Sequence, residues 1–206
     1  MTFNTEIVVA NPNLGEACTT AHLVYLRNYR CVSSLFYKNF INGMRWNAIE
    51  YKNIDWENKL IFSHLADPIE RRHKGIAHWL VRNNLQTKFR INSEFQDFII
   101  NLSYIDNHSA SYHSMLGEKI KKIQWIICDY DNHDKTIEDT AKFLQSQNIF
   151  RWTNFDWGFK NIADYDRKSL TSEIKQRFLD NKDNTHILDY FRKDIELFEN
   201  LRKETQ

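Results

Sequence analysis

The stretch Lys59-Leu-Ile-Phe-Ser-His-Leu-Ala66, followed at once by Asp67-Pro-Ile-Glu-Arg-Arg-His73, decides the fold class of this chain. An apolar run of strand length breaks at Asp-Pro, and a helical pattern begins without a linker. Asp67 suits the N-cap, Pro68 the first helical turn, and Glu70 stands three residues after the cap to complete a capping box. Ile69, Ile76 and Leu80, with Trp79 beside them, put an apolar stripe on one face of a helix over 67–83. A strand running straight into a capped helix leaves backbone N–H groups at its mouth, where phosphate binds readily, and Arg71 lies about one turn in. The same residues also make an ordinary βα junction of an α/β domain.

Outward from this junction the pattern repeats. Ile7-Val-Val-Ala10 is a short β-branched run that stops at the turn-rich Asn11-Pro12-Asn13-Leu14-Gly15. From Glu16 onward Ala17, Ala21, Val24, Tyr25 and Leu35 fall near helical spacing, which predicts strand, loop, helix. Residues 42–58 read as irregular. Phe95, Phe98, Ile99 and Leu102 space as a helix, and 103–116 is polar and turn-like, holding Asp106, His108 and His113. A third strand is expected over Lys121–Cys128, with Ile123, Trp125 and Ile127 on one face. The acidic turn 129–134 then leads to a helix near Thr136–Gln147. Residues 148–184 are mixed, with a short helix around Leu170–Leu179, and Thr185–Lys203 is a strongly amphipathic helix. Strands alternating with helices predict parallel βαβ units in an α/β, three-layer αβα fold around a mainly parallel sheet. No linker or internal repeat divides the chain, so residues 1–206 are read as a single domain.

Composition sets limits on function. The chain of 206 residues is 42% hydrophobic and 14% aromatic, as a packed globule is, and its 5 Gly and 2 Pro argue against a loop-rich sandwich. A net charge of +1 offers no global field to attract nucleic acid or a membrane surface, so any anion site must be local. No segment approaches the roughly 18 apolar residues of a membrane span, and the amino terminus lacks a basic, then apolar, leader. Cys18, Cys31 and Cys128 are odd in number and form no CxxC, which points to a reducing, cytoplasmic compartment and to no zinc ribbon. His64, His73 and His78 lack metal-ligand spacing, and the turn with Asp129, Asp131 and Asp134 lacks the Gly and final Glu of a calcium loop. No metal is expected. GxxxxGK[ST] is absent and Gly15-Glu-Ala-Cys-Thr-Thr has no Lys to reach terminal phosphates, so a P-loop nucleotide kinase has little support.

Four segments, in order, resemble the sulfotransferase family, and within it the carbohydrate-type branch. Asn11-Pro12-Asn13-Leu14-Gly15 with Thr19 and Thr20 is similar to the family's loop for the 5′-phosphosulfate of 3′-phosphoadenosine 5′-phosphosulfate (PAPS). Phe62–Arg71 resembles the strand ending in Arg-Asn/Asp-Pro-x-x-Arg that recognises the 3′-phosphate. Asp106-Asn107-His108 looks like the Asp/Asn-x-His segment near the acceptor cleft. Leu188–Phe198, with Asp194, resembles the closing helix. The resemblance spans nearly the whole chain and implies a P-loop NTPase-like fold and PAPS as co-substrate. It implies transfer of a sulfonate group to a hydroxyl of a small-molecule or carbohydrate acceptor. Asn13, Gly15, Thr19, Thr20, Asp67, Arg71 and Lys74 would bind the donor. His108 would serve as general base, with Asp106 orienting it or sharing the acceptor.

The departures are specific. Asn13 stands where the family has a loop Lys, Ala66 where it has the 3′-phosphate Arg, and Lys74 where it usually has Ser. Two missing cations favour a second reading, a catalytically inactive binding or assembly module with the same fold. Arg27-Asn28-Tyr-Arg30-Cys-Val-Ser33-Ser34 also resembles a 3′-phosphate motif of the family's cytosolic branch. It follows no expected strand, and its reading is helix surface. The tryptophans at 46–56 and 152–157 suit core packing, and exposed they would suit stacking on sugar rings.

Overall fold

The computed structural model describes residues 16–28, 30–31, 33–149, 165–181 and 183–204. The strand expected at Ile7–Ala10, the loop with Asn13 and Gly15, and Trp152 and Trp157 lie outside them. The described strands are β1 (Glu16–Thr19), β2 (Leu23–Leu26), β3 (Asn47–Glu50), β4 (Leu60–Leu65) and β5 (Ile123–Ile127). The helices are α1 (Ser33–Lys38), α2 (Pro68–Arg82), α3 (Gln86–Ile91), α4 (Ser93–Asn101), α5 (Tyr112–Leu116), α6 (His133–Ser146), α7 (Tyr165–Asp180) and α8 (Thr185–Glu204).

The strands form one mixed sheet in the order β3-β1-β2-β4-β5. β2, β4 and β5 pair in parallel, with Val24 opposite Ile61 and Ser63 opposite Trp125, whereas β1 runs antiparallel to both β2 and β3. The helix expected from Glu16 onward is therefore a β-hairpin. Ala17, Val24 and Leu26 pack on one face of the sheet, and Cys18, Leu23 and Tyr25 on the other. Burial on both faces with period two is what a paired strand gives and a one-sided helix does not. The Thr20 hydroxyl closes the hairpin by accepting from the His22 and Leu23 N–H groups. Within 42–58, read as irregular, Asn47–Glu50 is β3, held by its pairing to β1 and not by any apolar pattern of its own.

Helices cover both faces. On one, Phe36 of α1, Phe40 and Leu144 of α6 pack over Tyr25, Phe62 and Ile126. On the other, Tyr112 and Leu116 of α5 and Leu197, Phe198 and Leu201 of α8 pack over Val24, Ile61, Leu65 and Trp125. The chain is thus α/β with a helical layer on each side of the sheet. A further cluster joins α2 to α3, α4 and α7 through Ile76, Leu80, Phe89, Ile99, Leu170 and Ile174. Trp46 and Trp125 are core residues, Trp46 stacking on Phe40 with ring centroids 4.6 Å apart. No described helix is long and apolar enough to cross a membrane.

The β4–α2 junction forms as its residues dictate. The Asp67 carboxylate accepts from the N–H groups of Ile69 (2.9 Å) and Glu70 (2.8 Å), and Pro68 opens the helix. Glu70 pairs with Lys74 one turn on, at 2.9 Å.

Candidate functional site

β2 and β4 are adjacent and parallel, so the chain leaves both at the same edge of the sheet. After β4 it enters α2. After β2 it passes through residues 27–32 into α1, so the segment read as helix surface is in fact a strand–loop–helix connection. Asn28 anchors this loop by donating to the His64 carbonyl (2.9 Å), and Cys31 meets the Tyr112 hydroxyl at 3.2 Å. Arg30 has φ of +64°, a left-handed conformation that a non-glycine residue holds only when its surroundings impose it.

Thr19 and Thr20 lie elsewhere. They form the β1–β2 turn, where Lys59 donates to the Thr19 hydroxyl and the Thr20 carbonyl, both at 2.8 Å. Lys59 precedes β4 and Asp67 follows it, so about 20 Å of strand separates these threonines from the α2 mouth. They do not share a pocket with it, because a hairpin turn between antiparallel strands falls at the sheet edge opposite the one where β2 ends.

At the carboxyl edge of β2, β4 and β5 opens a cleft of about 580 Å³. Arg30, Lys74, Tyr130 and His133 line one side, and Arg167, Lys168, Thr171 and Ser172 of α7 the other. Among the described residues the lining holds four side chains of fixed positive charge, Arg30, Lys74, Arg167 and Lys168, and no carboxylate. The field is evident in the neighbouring groups. Burial, and then the charge of Arg167, lowers Arg30 to about 10, so it stays charged at neutral pH. His78 is pushed down to about 3 by burial and then by Arg30, His108 and Arg167. Burial and Lys74 likewise lower His133. Converging, partly desolvated cations of this kind favour an anion between them.

Beside Arg30 lies the loop 105–109. Three residues of α2 at helical spacing, Arg71, Gly75 and His78, face it. Arg71 is fully buried, stacks over the Tyr112 ring at 4.3 Å, and donates to the carbonyls of Asn107 and His108, each at 3.2 Å. Gly75 permits the close approach: a Cβ there would stand 2.3 Å from the His108 carbonyl oxygen. One turn on, His78 meets the His108 ring with centroids 4.9 Å apart. The Asp106 carboxylate accepts from the His108 N–H at 2.9 Å, and its second oxygen lies 3.0 Å from His108 Nδ1. Burial raises Asp106, but the hydrogen bonds and charge of His108 outweigh it, and the net shift is downward. Asp106 therefore stays an anion beside His108 Nδ1 and fixes the orientation of the imidazole ring.

The other expected residues divide clearly. Lys74 lines the cleft, its Nζ 3.2 Å from the centre of the Tyr130 ring. Arg71 instead serves the His108 loop. Asp67 and Glu70 border a second hollow with Asp129, Asp131 and Asp139, where carboxylates predominate, and the Asp67 cap already engages two N–H groups at the α2 mouth. Ala66 is buried, its N–H donating to the Tyr112 hydroxyl at 3.3 Å. His64 is sandwiched by hydrogen bonds to Tyr25 (3.0 Å) and Thr140 (2.9 Å), and His73 packs on Phe178 away from His78. Asp129 accepts from the N–H groups of Asp131 and Asn132, so the acidic turn braces its own backbone before α6.

Asp194 of the closing helix is fully buried and accepts from the N–H groups of Tyr112 (2.6 Å) and His113 (3.0 Å), capping α5 from outside. Its neighbour Tyr190 accepts from the Ser111 N–H at 3.2 Å. This motif fixes the far end of the loop that carries His108.

Sequence reasoning set Arg30 aside as helix surface, weighed His78 only as a metal ligand, and did not single out Tyr130 or Arg167. The signal for Arg30 was present: the four apolar residues Leu23–Leu26 directly before Arg27 can be read as a short strand. Nothing local marks Arg167, which reaches the cleft only because α7 packs on α2. No family model matches the chain, and neither a curated protein nor a solved structure is significantly similar to it.

Proposed function

We propose that the chain is a sulfotransferase-type enzyme of P-loop NTPase type that takes PAPS as donor in the Arg30–Lys74–Arg167 cleft, with Arg30, and not Thr19 or Thr20, at the donor's anion site. The observation that carries this reading is the proximity of two elements, a cleft whose described lining is cationic and the Asp106–His108 pair beside Arg30. Arg30, Lys74 and Arg167 neutralise donor phosphates, and the cleft volume lies in the range of small-molecule sites. PAPS supplies an electrophilic sulfur whose bond to the phosphate oxygen breaks as an acceptor hydroxyl bonds to it. His108 takes the hydroxyl proton, and Asp106 stabilises the imidazolium that results. Arg30 and Arg167 balance the negative charge left on the departing phosphate.

Titration calorimetry with 3′-phosphoadenosine 5′-phosphate tests the reading. Binding is expected, weakened about 10-fold or more in Arg30→Ala, since a charge-assisted contact contributes about 1.5–3 kcal/mol. No heat at millimolar nucleotide removes it.

One observation favours the second reading, a binding module without turnover. Ala66 and Arg71, at the two positions of the family's 3′-phosphate cations, face the interior. Nucleotide binding with donor breakdown unaffected by His108→Ala selects that reading.

A further inference from the structure

We propose that Tyr130 is the positioning residue of the cationic cleft, its hydroxyl setting the Arg30 loop and its ring face setting Lys74. The inference rests on the reading of the cleft as an anion site. Tyr130 stands three residues beyond β5 on a backbone fixed from both sides. The Cys128 N–H donates to the Leu65 carbonyl at 2.8 Å, and the Asp129 N–H to the Thr136 hydroxyl at 3.0 Å. From this base the Tyr130 hydroxyl donates to the Arg30 carbonyl across 100 positions of sequence. The bond falls on the residue whose left-handed backbone needs an external hold. A relaxed Arg30 at negative φ would redirect its guanidinium.

The ring does a second task. Lys74 is shared between the Glu70 carboxylate at 2.9 Å and the Tyr130 face at 3.2 Å. Glu70 opens on the acidic hollow, Tyr130 stands between that hollow and the cationic cleft, and Lys74 lines the cleft, so the ring face holds the ammonium at the cleft wall. A single aromatic thus sets two cations that come from different elements, one from the loop after β2 and one from α2.

Inorganic pyrophosphate is the probe, measured by calorimetry at low salt beside 3′-phosphoadenosine 5′-phosphate. Tyr130→Phe keeps the ring and loses the hydroxyl, and its pyrophosphate Kd is expected to rise about 10-fold. Tyr130→Leu loses both and is expected to cost several-fold more. In an Arg30→Ala background Tyr130→Phe is expected to add almost nothing, which a general structural weakening would not reproduce. Unchanged pyrophosphate binding in Tyr130→Phe overturns the proposal, and so does an equal loss in the Arg30→Ala background. Wild-type protein that binds pyrophosphate but not the nucleotide refutes the sulfotransferase reading alone, and wild-type protein that binds neither refutes both.

Discussion

The carbonyl oxygen of His108 stands where a methyl group on Gly75 would have to go, 2.3 Å from an ideal Cβ. The nearest atoms are all backbone, so the helix and the loop must separate to admit a side chain. Gly75→Ala is expected to lose about 1–3 kcal/mol of stability, in the range of other overpacked sites, despite alanine's better helix propensity. A melting temperature equal to or above wild type would contradict the packing described.

Asp194 holds two backbone donors at the start of α5. Asp194→Ala leaves them buried without that acceptor, at about 1–3 kcal/mol for each group. Hydrogen exchange should quicken at Tyr112 and His113 and through the 105–109 loop well before the sheet strands respond. Uniform protection in the variant would show that α5 does not depend on the carboxylate.

Acid should weaken the fold through its histidines. Burial brings His64 to about 3, and burial with Arg72 and Lys175 brings His73 to about 3, from an ordinary 6.5. The unfolded chain therefore binds more protons between these values, and stability falls as pH drops below about 6.5. Each of these two buried groups contributes a loss of about 2 kcal/mol between pH 7 and 5, and the half-buried His78 contributes less. Urea unfolding at the two pH values measures the sum, and His64→Gln should flatten the slope by one histidine's share.

All three cysteines are free and buried, and burial raises each thiol above its usual range. Thiolate is the reactive form, so a thiol reagent should label none of them in native protein within minutes and all three in denaturant. Rapid native labelling of Cys31 would mean that the loop beside Arg30 opens far more than its contacts with Tyr112 imply.

What was legible followed local physics. The Asp67 cap, Pro68 and the stripe through Ile76 and Leu80 act within one helix, and α2 starts and ends as read. The amphipathic α8 was equally plain. The hairpin at 16–26 was not, because Ala17, Ala21, Val24 and Tyr25 satisfy helical spacing, and only pairing with β3 and β4 makes them strands. The hairpin also sets Thr19 and Thr20, expected in the donor loop, at the sheet edge opposite Arg30. His108 and Asp106 were singled out through the resemblance to an Asp/Asn-x-His segment, and their contact is local because they lie two residues apart. Tyr130 and Arg30 lie 100 apart, and no local pattern reports such a meeting.

The clamp from Asp194 to Tyr112 joins residues 82 apart. During synthesis every strand of the sheet and all of α2 emerge before that carboxylate does. The segment bearing the proposed base therefore stays unbraced until translation has passed α8. A messenger cut short upstream of Asp194, or a protease nick that releases α8, would leave the strands and α2 without the brace on the start of α5.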